Sequence, residues 1–265
     1  MKWRDLFRKK SKTPPPPAEE DDDFDLVPPS VDRVKARLMV QCAAWLRSGW
    51  ELGISEELPT PLQLCAWVTR LSPEATDQEI DLHALPIGEW PERAVRDASW
   101  AQQSGGMLEW ALYLREDLPA WDQRFHWTEV VVRDFQTFPT PDSWQPFLTL
   151  RSHEEMEREA MVLETCSWRM RTGQTLLGNE KAYAHKLLGR SAQLGHVPLA
   201  PDGDFLCSDG RSLADQSPEE FALIRSIARE KLQALNWLTG QDEEYHSVTC
   251  DTIVGWLWDG AWEGK

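Results

Sequence analysis

Ser217–Gly240, SPEEFALIRSIAREKLQALNWLTG, is the stretch that decides the fold class. Ser217 offers a hydroxyl to the orphan amides of a first turn. Pro218 suits the first helical position, where its missing N–H costs nothing, and Glu220 follows three residues after the cap. Phe221, Ile224, Ala228, Leu232 and Leu235 then recur every three or four residues as one apolar stripe, which Gly240 ends. Such a helix is stable only when its stripe packs against other elements.

Working outward, similar signals recur along the chain. Val34, Leu38, Cys42 and Trp45 share one helical face, with Gly49 as the expected stop. Thr60-Pro61-Leu62-Gln63 is a cap, a first-turn proline and a glutamine at the third position, opening a helix through Leu64, Trp67, Val68 and Leu71. After a polar connection, Pro91 begins a helical stretch through Val95, Ala98 and Trp100. Gly105-Gly106 is expected to interrupt it before Leu108, Ala111 and Leu112 resume the pattern. Ser152-His153-Glu154-Glu155 opens a further helix, with Met156, Ala160 and Leu163 on one face, running to about Arg171. Residues 179–194 are another candidate, and Gly195–Gln216 reads as a loop. Pro119, Pro139, Pro141 and Pro146 break long helices over 115–150, where Thr128–Val132 fits either a strand or a short helix. The fold expected is therefore all-α: a single irregular multi-helix domain over residues 30–265.

Residues 1–29 differ from the rest. Met1–Lys12 (MKWRDLFRKKSK) carries six basic residues and one acid, a charge of +5; Pro14–Pro17 and an acidic run from Glu19 to Asp25 follow. Four prolines favour an extended spacer and the acids repel one another, so a disordered N-terminal tail is expected. Trp3, Leu6 and Phe7 among the bases would suit weak contact of residues 1–12 with an anionic membrane surface, or contact with the acids behind them. The formal net charge is −16, so residues 13–265 carry −16 − 5 = −21. That acidity excludes a general nucleic-acid binder. The absence of an apolar h-region, of a long apolar run and of paired cysteine spacings among the five cysteines points to a cytoplasmic protein with reduced thiols.

Catalytic motifs do not emerge. The glycine spacings of phosphate-cradling loops and of the serine-nucleophile elbow are absent, and His153 with Glu157 reads as a solvated helix pair rather than half a metal site. Cys166 lies next to Trp168 and Arg169, but neighbours in a helix point in different directions. No metal and no cofactor is expected. Trp45, Trp67, Trp100, Trp110, Trp168 and Trp237, six of the fifteen tryptophans, fall inside helical patterns and are read as core. Trp256, Trp258 and Trp262, with Ile253 and Val254, form an apolar C-terminal cluster, either docked on the body or exposed as a partner patch.

Ala98-Ser99-Trp100, then Glu109-Trp110-Ala111-Leu112 with Leu118-Pro119 and Asp122, then Cys166-Ser167-Trp168-Arg169, and finally Arg229–Leu238 leading to Asp251-Thr252, together resemble the bacterial domain-of-unknown-function family 4272 over roughly residues 31–254. Glu244-Tyr245-His246 stands where that family typically shows a Trp-Asp pair, and Gly105-Gly106 is a further departure. The resemblance implies a helical single domain and brings no activity, so no catalytic residue is carried over. It does direct attention to Trp168, Arg169, Asn236, Asp251 and Thr252. These form either a buried polar network that fixes helix packing, since a buried Arg needs a carboxylate partner, or the lining of a pocket. The functional expectation is a non-enzymatic protein-binding domain whose acidity attracts a basic protein such as a toxin, as a bacterial immunity protein does. The alternatives are an enzyme with a pocket around Trp168, Arg169 and Asp251, and a scaffold recruited to membranes by its basic head.

Overall fold

A computed structural model of the chain describes residues 27–54, 59–71, 74–126, 148–171, 173, 197–248 and 250. Among these, six α-helices carry the architecture: α1 Val31–Glu51, α2 Pro61–Arg70, α3 Asp77–Ala84, α4 Glu92–Ala111, α5 His153–Arg171 and α6 Pro218–Leu238. The four long ones stand in a row in which α1 packs on α4, α4 on α6, and α6 on α5, while α2 leans on α1 and α3 on α2. The chain is all-α among the described residues. Expectations for Thr128–Val132, residues 179–194 and residues 1–26 of the N-terminal tail fall outside them, whereas residues 27–29, expected as the end of that tail, are described and have Pro29 buried.

The capping signals act as their chemistry dictates. Thr60 with Gln63, Ser152 with Glu155 and Ser217 with Glu220 each close a reciprocal box, cap hydroxyl to third amide and third side chain to cap amide. Thr76 with Glu79 closes a fourth, opening α3, an eight-residue helix in what reads from sequence as a polar connection. Its face is too short and too polar to show a period; only the T-x-x-E spacing marked it.

Two further differences have physical causes. Helix α1 runs through Gly49 to Glu51, and the left-handed residue that follows its end is Gly53 (φ +68°). Gly105-Gly106 does not interrupt α4, which is continuous from Glu92 to Ala111 and buried at every residue from Gln103 to Ala111. The missing side chain is used for approach. A Cβ on Gly106 would stand 2.2 Å from the Cγ of Phe125, whose ring occupies that space.

Of the six helical tryptophans, Trp67, Trp110 and Trp237 are buried, whereas Trp45, Trp100 and Trp168 are half-buried. Past the end of α4 at Ala111 and its cap Leu112 stands Tyr113, a non-glycine residue at φ 57°. Arg151 holds this end. It donates to the carbonyls of Trp110 (2.8 Å), Arg115 (3.2 Å) and Glu116 (3.1 Å), and stacks its guanidinium 4.3 Å from the Tyr113 ring centre and 4.7 Å from that of Trp110. Carbonyls orphaned at a helix end are thus met by a cation, which also suits the helix dipole.

Gly240 (φ +84°) ends α6 where the entering chain crosses it. A Cβ there would lie 2.7–2.9 Å from backbone atoms of Val27 and Pro28. Gly240→Ala combines left-handed strain with a backbone clash, and is expected to cost about 2 kcal/mol, a fall in melting temperature of about 4–8 °C. A thermal melt within 1 °C of wild type, on the order of what a neutral surface change gives, would contradict this reading of the crossing.

Candidate functional site

Chemistry-bearing side chains gather in three places. The first joins α5 to the segment 197–216. Arg169, fully buried on α5, donates from Nε to Asp204 Oδ1 at 2.8 Å and from Nη2 to Asp204 Oδ2, while Nη1 donates to the Gly173 carbonyl at 2.6 Å. Asp204 sits in the first of two consecutive tight turns, braced by the pairings Leu199–Phe205 and Leu206–Ser212, with Gly203 and Gly210 at positive φ. Asp202 accepts from the Asp204 amide and the Ser212 hydroxyl, and Asp122 accepts from the amide (2.7 Å) and hydroxyl (2.8 Å) of Ser208. Lys231 of α6 reaches the same region, donating to the carbonyls of Ala120 (2.9 Å) and Gln123 (2.8 Å) over the Phe125 ring. Burial outweighs the attraction of Asp122 and brings the Lys231 ammonium down to a pKa of about 7.

The thiols of this region are quiet. Burial, with Asp122 adding to it, pushes Cys207 up to about 12 and Cys166 well above the ordinary value. Since the thiolate is the nucleophile, Cys166, three residues before Arg169, is not an activated cysteine: the guanidinium pairs with Asp204.

Sequence reasoning singled out Trp168, Arg169, Asn236, Asp251 and Thr252 together. Trp168 is half-buried on α5 and Asn236 is buried in the last turn of α6, its carbonyl accepting from the Gln241 amide at 2.9 Å. Asp251, Thr252, Trp256, Trp258 and Trp262 lie outside the described residues. The carboxylate found on Arg169 is Asp204, 35 positions away. In sequence, Asp202-Gly203-Asp204 signals only a turn.

A second cluster ties α1, α3 and the segment after α6. Arg37, 1% exposed, donates to Glu79 Oε1 (2.7 Å) and Oε2 (3.0 Å) and to the Glu74 carbonyl (3.0 Å), and stacks 4.4 Å from the Tyr245 ring centre. His246 Nε2 lies 3.2 Å from Glu79 Oε2. Burial works to raise Glu79, but the Arg37 charge and the hydrogen bonds from His246 and Arg37 outweigh it and hold the carboxyl well below the usual range. Glu79 is thus both the capping residue of α3 and the clasp of α1. The expected exposed pair His153–Glu157 is present at 3.1 Å. No group of three or more metal-ligating side chains occurs among the described residues.

Between α5 and the α6 end, Glu164 is buried, with Gln241 Nε2 at 3.5 Å from Oε1. Burial pushes its pKa up to about 8, and burial likewise pushes Glu230 of α6 up to about 7. In both, the folded state holds a proton that the unfolded state releases near its ordinary value of 4.5. Stability falls wherever the native state binds more protons than the unfolded. It is therefore expected to fall from about pH 4.5 to pH 7–8 through these two carboxyls. Glu164→Gln keeps the neutral form at every pH, and is expected to raise the melting temperature at pH 8 by about 2–8 °C, one or two kcal/mol for a protein this size, with little change at pH 5. An equal shift at both pH values would contradict the assignment.

The third place is a surface, at the C-terminal end of α1. Buried Arg47 pairs with Glu51 and donates to the carbonyls of Leu85 (2.9 Å) and Pro86 (2.8 Å), and Glu51 Oε2 accepts from the Gly88 amide at 2.7 Å. The Trp50 indole donates to the Pro59 carbonyl at 2.9 Å. These bonds bring residues 52–54, 59–62 and 85–88 around one helix end, and four large apolar side chains stand out to solvent there: Leu52 (56% exposed), Ile54 (75%), Leu62 (81%) and Ile87 (53%). Glu89 and Glu92 are exposed beside them, and residues 48–54, 59–63 and 84–92 contain no Lys or Arg. No helix among the described residues is long and apolar enough to cross a membrane. No protein-family model, no curated protein and no solved structure matches this chain.

Proposed function

We propose that this chain is a protein-binding domain that uses its surface, with a basic protein as partner. A toxin neutralised by a bacterial immunity protein is the kind of pair envisaged. The observation that carries the reading is the end of α1, where Leu52, Ile54, Leu62 and Ile87 are exposed beside Glu89 and Glu92. Scattered exposed apolar residues are ordinary, but several around one helix end, with charge of one sign next to them, have the composition of a contact surface. Residues 13–265 carry −21, of which six charges lie in the acidic run Glu19–Asp25, so the domain over 30–265 carries −21 + 6 = −15 and adds long-range attraction for a cationic protein and faster encounter. The strongest buried cations, Arg37, Arg47 and Arg169, hold elements of the fold together through Glu79, Glu51 and Asp204.

The test compares full-length wild type with Ile54→Asp/Leu62→Asp as bait against the soluble proteins of the cell of origin. A basic protein retained by wild type, released by raised salt and lost from the variant is the expected result. Calorimetry on the purified pair should show the variant weakened at least tenfold, about 1.4 kcal/mol. Equal retention by both baits would remove the α1 end as the binding surface.

A further inference from the structure

We propose that the basic head of this chain, Met1–Lys12, occupies the apolar end of α1 in cis, as a tethered occupant that an external basic partner has to displace. The proposal deepens the binding reading by naming how that surface is regulated. Three observations meet in it.

The first is chemical complementarity. The head carries a charge of +5 with Trp3, Leu6 and Phe7 among its bases. The surface offers Leu52, Ile54, Leu62 and Ile87 beside exposed Glu89 and Glu92; of the cations near it, Arg47 is buried against Glu51 and Arg93 lies 3.4 Å from Asp97. An apolar anchor set flanked by bases meets an apolar set flanked by acids.

Reach is the second. The described chain begins at Val27, which crosses Gly240 just before α1 starts at Val31. The surface lies at the other end of α1, whose 21 residues span about 31 Å at 1.5 Å per residue. Residues 13–26 supply fourteen links, which extend to about 46 Å or more.

The third is effective concentration. A segment on a spacer of this length is present at its target at roughly millimolar levels. Contacts that would be weak between separate molecules therefore hold in cis, and a partner binding the same surface pays for displacing the head. The acidic run Glu19–Asp25 and an anionic membrane are the competing destinations for the same bases, and they define what the experiment has to separate.

The experiment places the photocrosslinker benzoylphenylalanine at position 3 (Trp3→benzoylphenylalanine) of the full-length chain at low micromolar concentration, and maps the products by mass spectrometry. The expected result is monomer-mass product joining position 3 to peptides containing residues 52–62 and 85–89, with a yield that falls at least tenfold in Ile54→Asp/Leu62→Asp, about 1.4 kcal/mol. Both replaced side chains are more than 70% exposed, and an unchanged thermal melt confirms that the variant is folded. Crosslinks confined to residues 19–25, products only at dimer mass, or undiminished yield in the folded variant would each overturn the proposal. So would a chain that gives no product with residues 52–62 or 85–89 and instead co-sediments through its head with phosphatidylserine vesicles. Loss of the crosslink with patch-dependent capture of a basic protein intact would sink cis docking alone. A patch-dependent crosslink with no captured partner would sink the partner reading alone.

Discussion

Gly106→Ala is expected to destabilise the protein by about 3 kcal/mol or more, the upper range for forcing volume into a packed core. The added Cβ would lie 2.2, 2.4 and 2.6 Å from Cγ, Cδ1 and Cδ2 of Phe125. The ring has no room to retreat. Phe125 is 1% exposed, its amide donates to Gln103 Oε1 at 2.9 Å, and its faces carry the Arg115 guanidinium at 5.2 Å and the Lys231 ammonium at 4.8 Å from the ring centre. Helix propensity alone argues the other way, since alanine is favoured over glycine inside a helix by about 1 kcal/mol. The sign of the effect therefore decides between the two readings. A fall in melting temperature of about 6–12 °C corresponds to 3 kcal/mol at this size. Gly106→Ala combined with Phe125→Val should cost less than the two single changes summed, because the second removes the atoms the first collides with. A stabilised Gly106→Ala protein would show that α4 and the 121–126 segment do not meet there.

Arg169→Met is the second large effect expected. It leaves Asp204, 3% exposed, without the guanidinium that holds both its oxygens. Removing one member of a buried pair costs about 3–5 kcal/mol, since a desolvated charge is left uncompensated. Asp204→Leu should cost a similar amount by leaving the cation. Arg169→Met/Asp204→Leu is expected to recover most of the loss, because an apolar pair of similar volume needs no solvation. Chemical denaturation of the four proteins gives the coupling directly. Additive losses would mean that the pair is not the main link between α5 and the 197–216 turns. Arg169→Lys keeps the charge but not the planar fork that meets both Asp204 oxygens, and is expected to be destabilised as well.

Much of the helical frame was legible because capping is local chemistry. Ser217-Pro218-Glu219-Glu220, Thr60-Pro61-Leu62-Gln63 and Ser152–Glu155 each place donor and acceptor within four residues, so the sequence contains the whole interaction. The same box at Thr76–Glu79 was equally present, but a short, polar helix offers no apolar period to draw the eye to it. Gly105-Gly106 shows the converse. A glycine pair lowers helix propensity wherever it occurs, and only the identity of the neighbour across the core, Phe125, turns it from a break into a contact.

The proposed contact surface was illegible for a related reason. Leu52 and Ile54 follow α1, Leu62 lies in the first turn of α2 and Ile87 follows α3; in sequence they are spread over 36 positions with no period to group them. They gather only because Arg47 and Glu51 hold residues 85–88, and Trp50 holds Pro59, at one helix end. The charge of −16, by contrast, is a sum over the chain and needs no fold to be read.

What the sequence determined by itself is therefore what depends on neighbours within a turn or on sums over the chain: the stripes of α1, α2, α5 and α6, the caps of α2, α5 and α6, the all-α class, the acidity and the contrast of the basic head. Only the tertiary structure decided that Arg169 belongs to Asp204, that Gly106 admits Phe125, and that four separate apolar residues form one end of α1. Each of those joins residues from different elements, and which ones meet is settled by how helix stripes pack and by the need to pair every buried charge, neither of which spacing along the chain encodes.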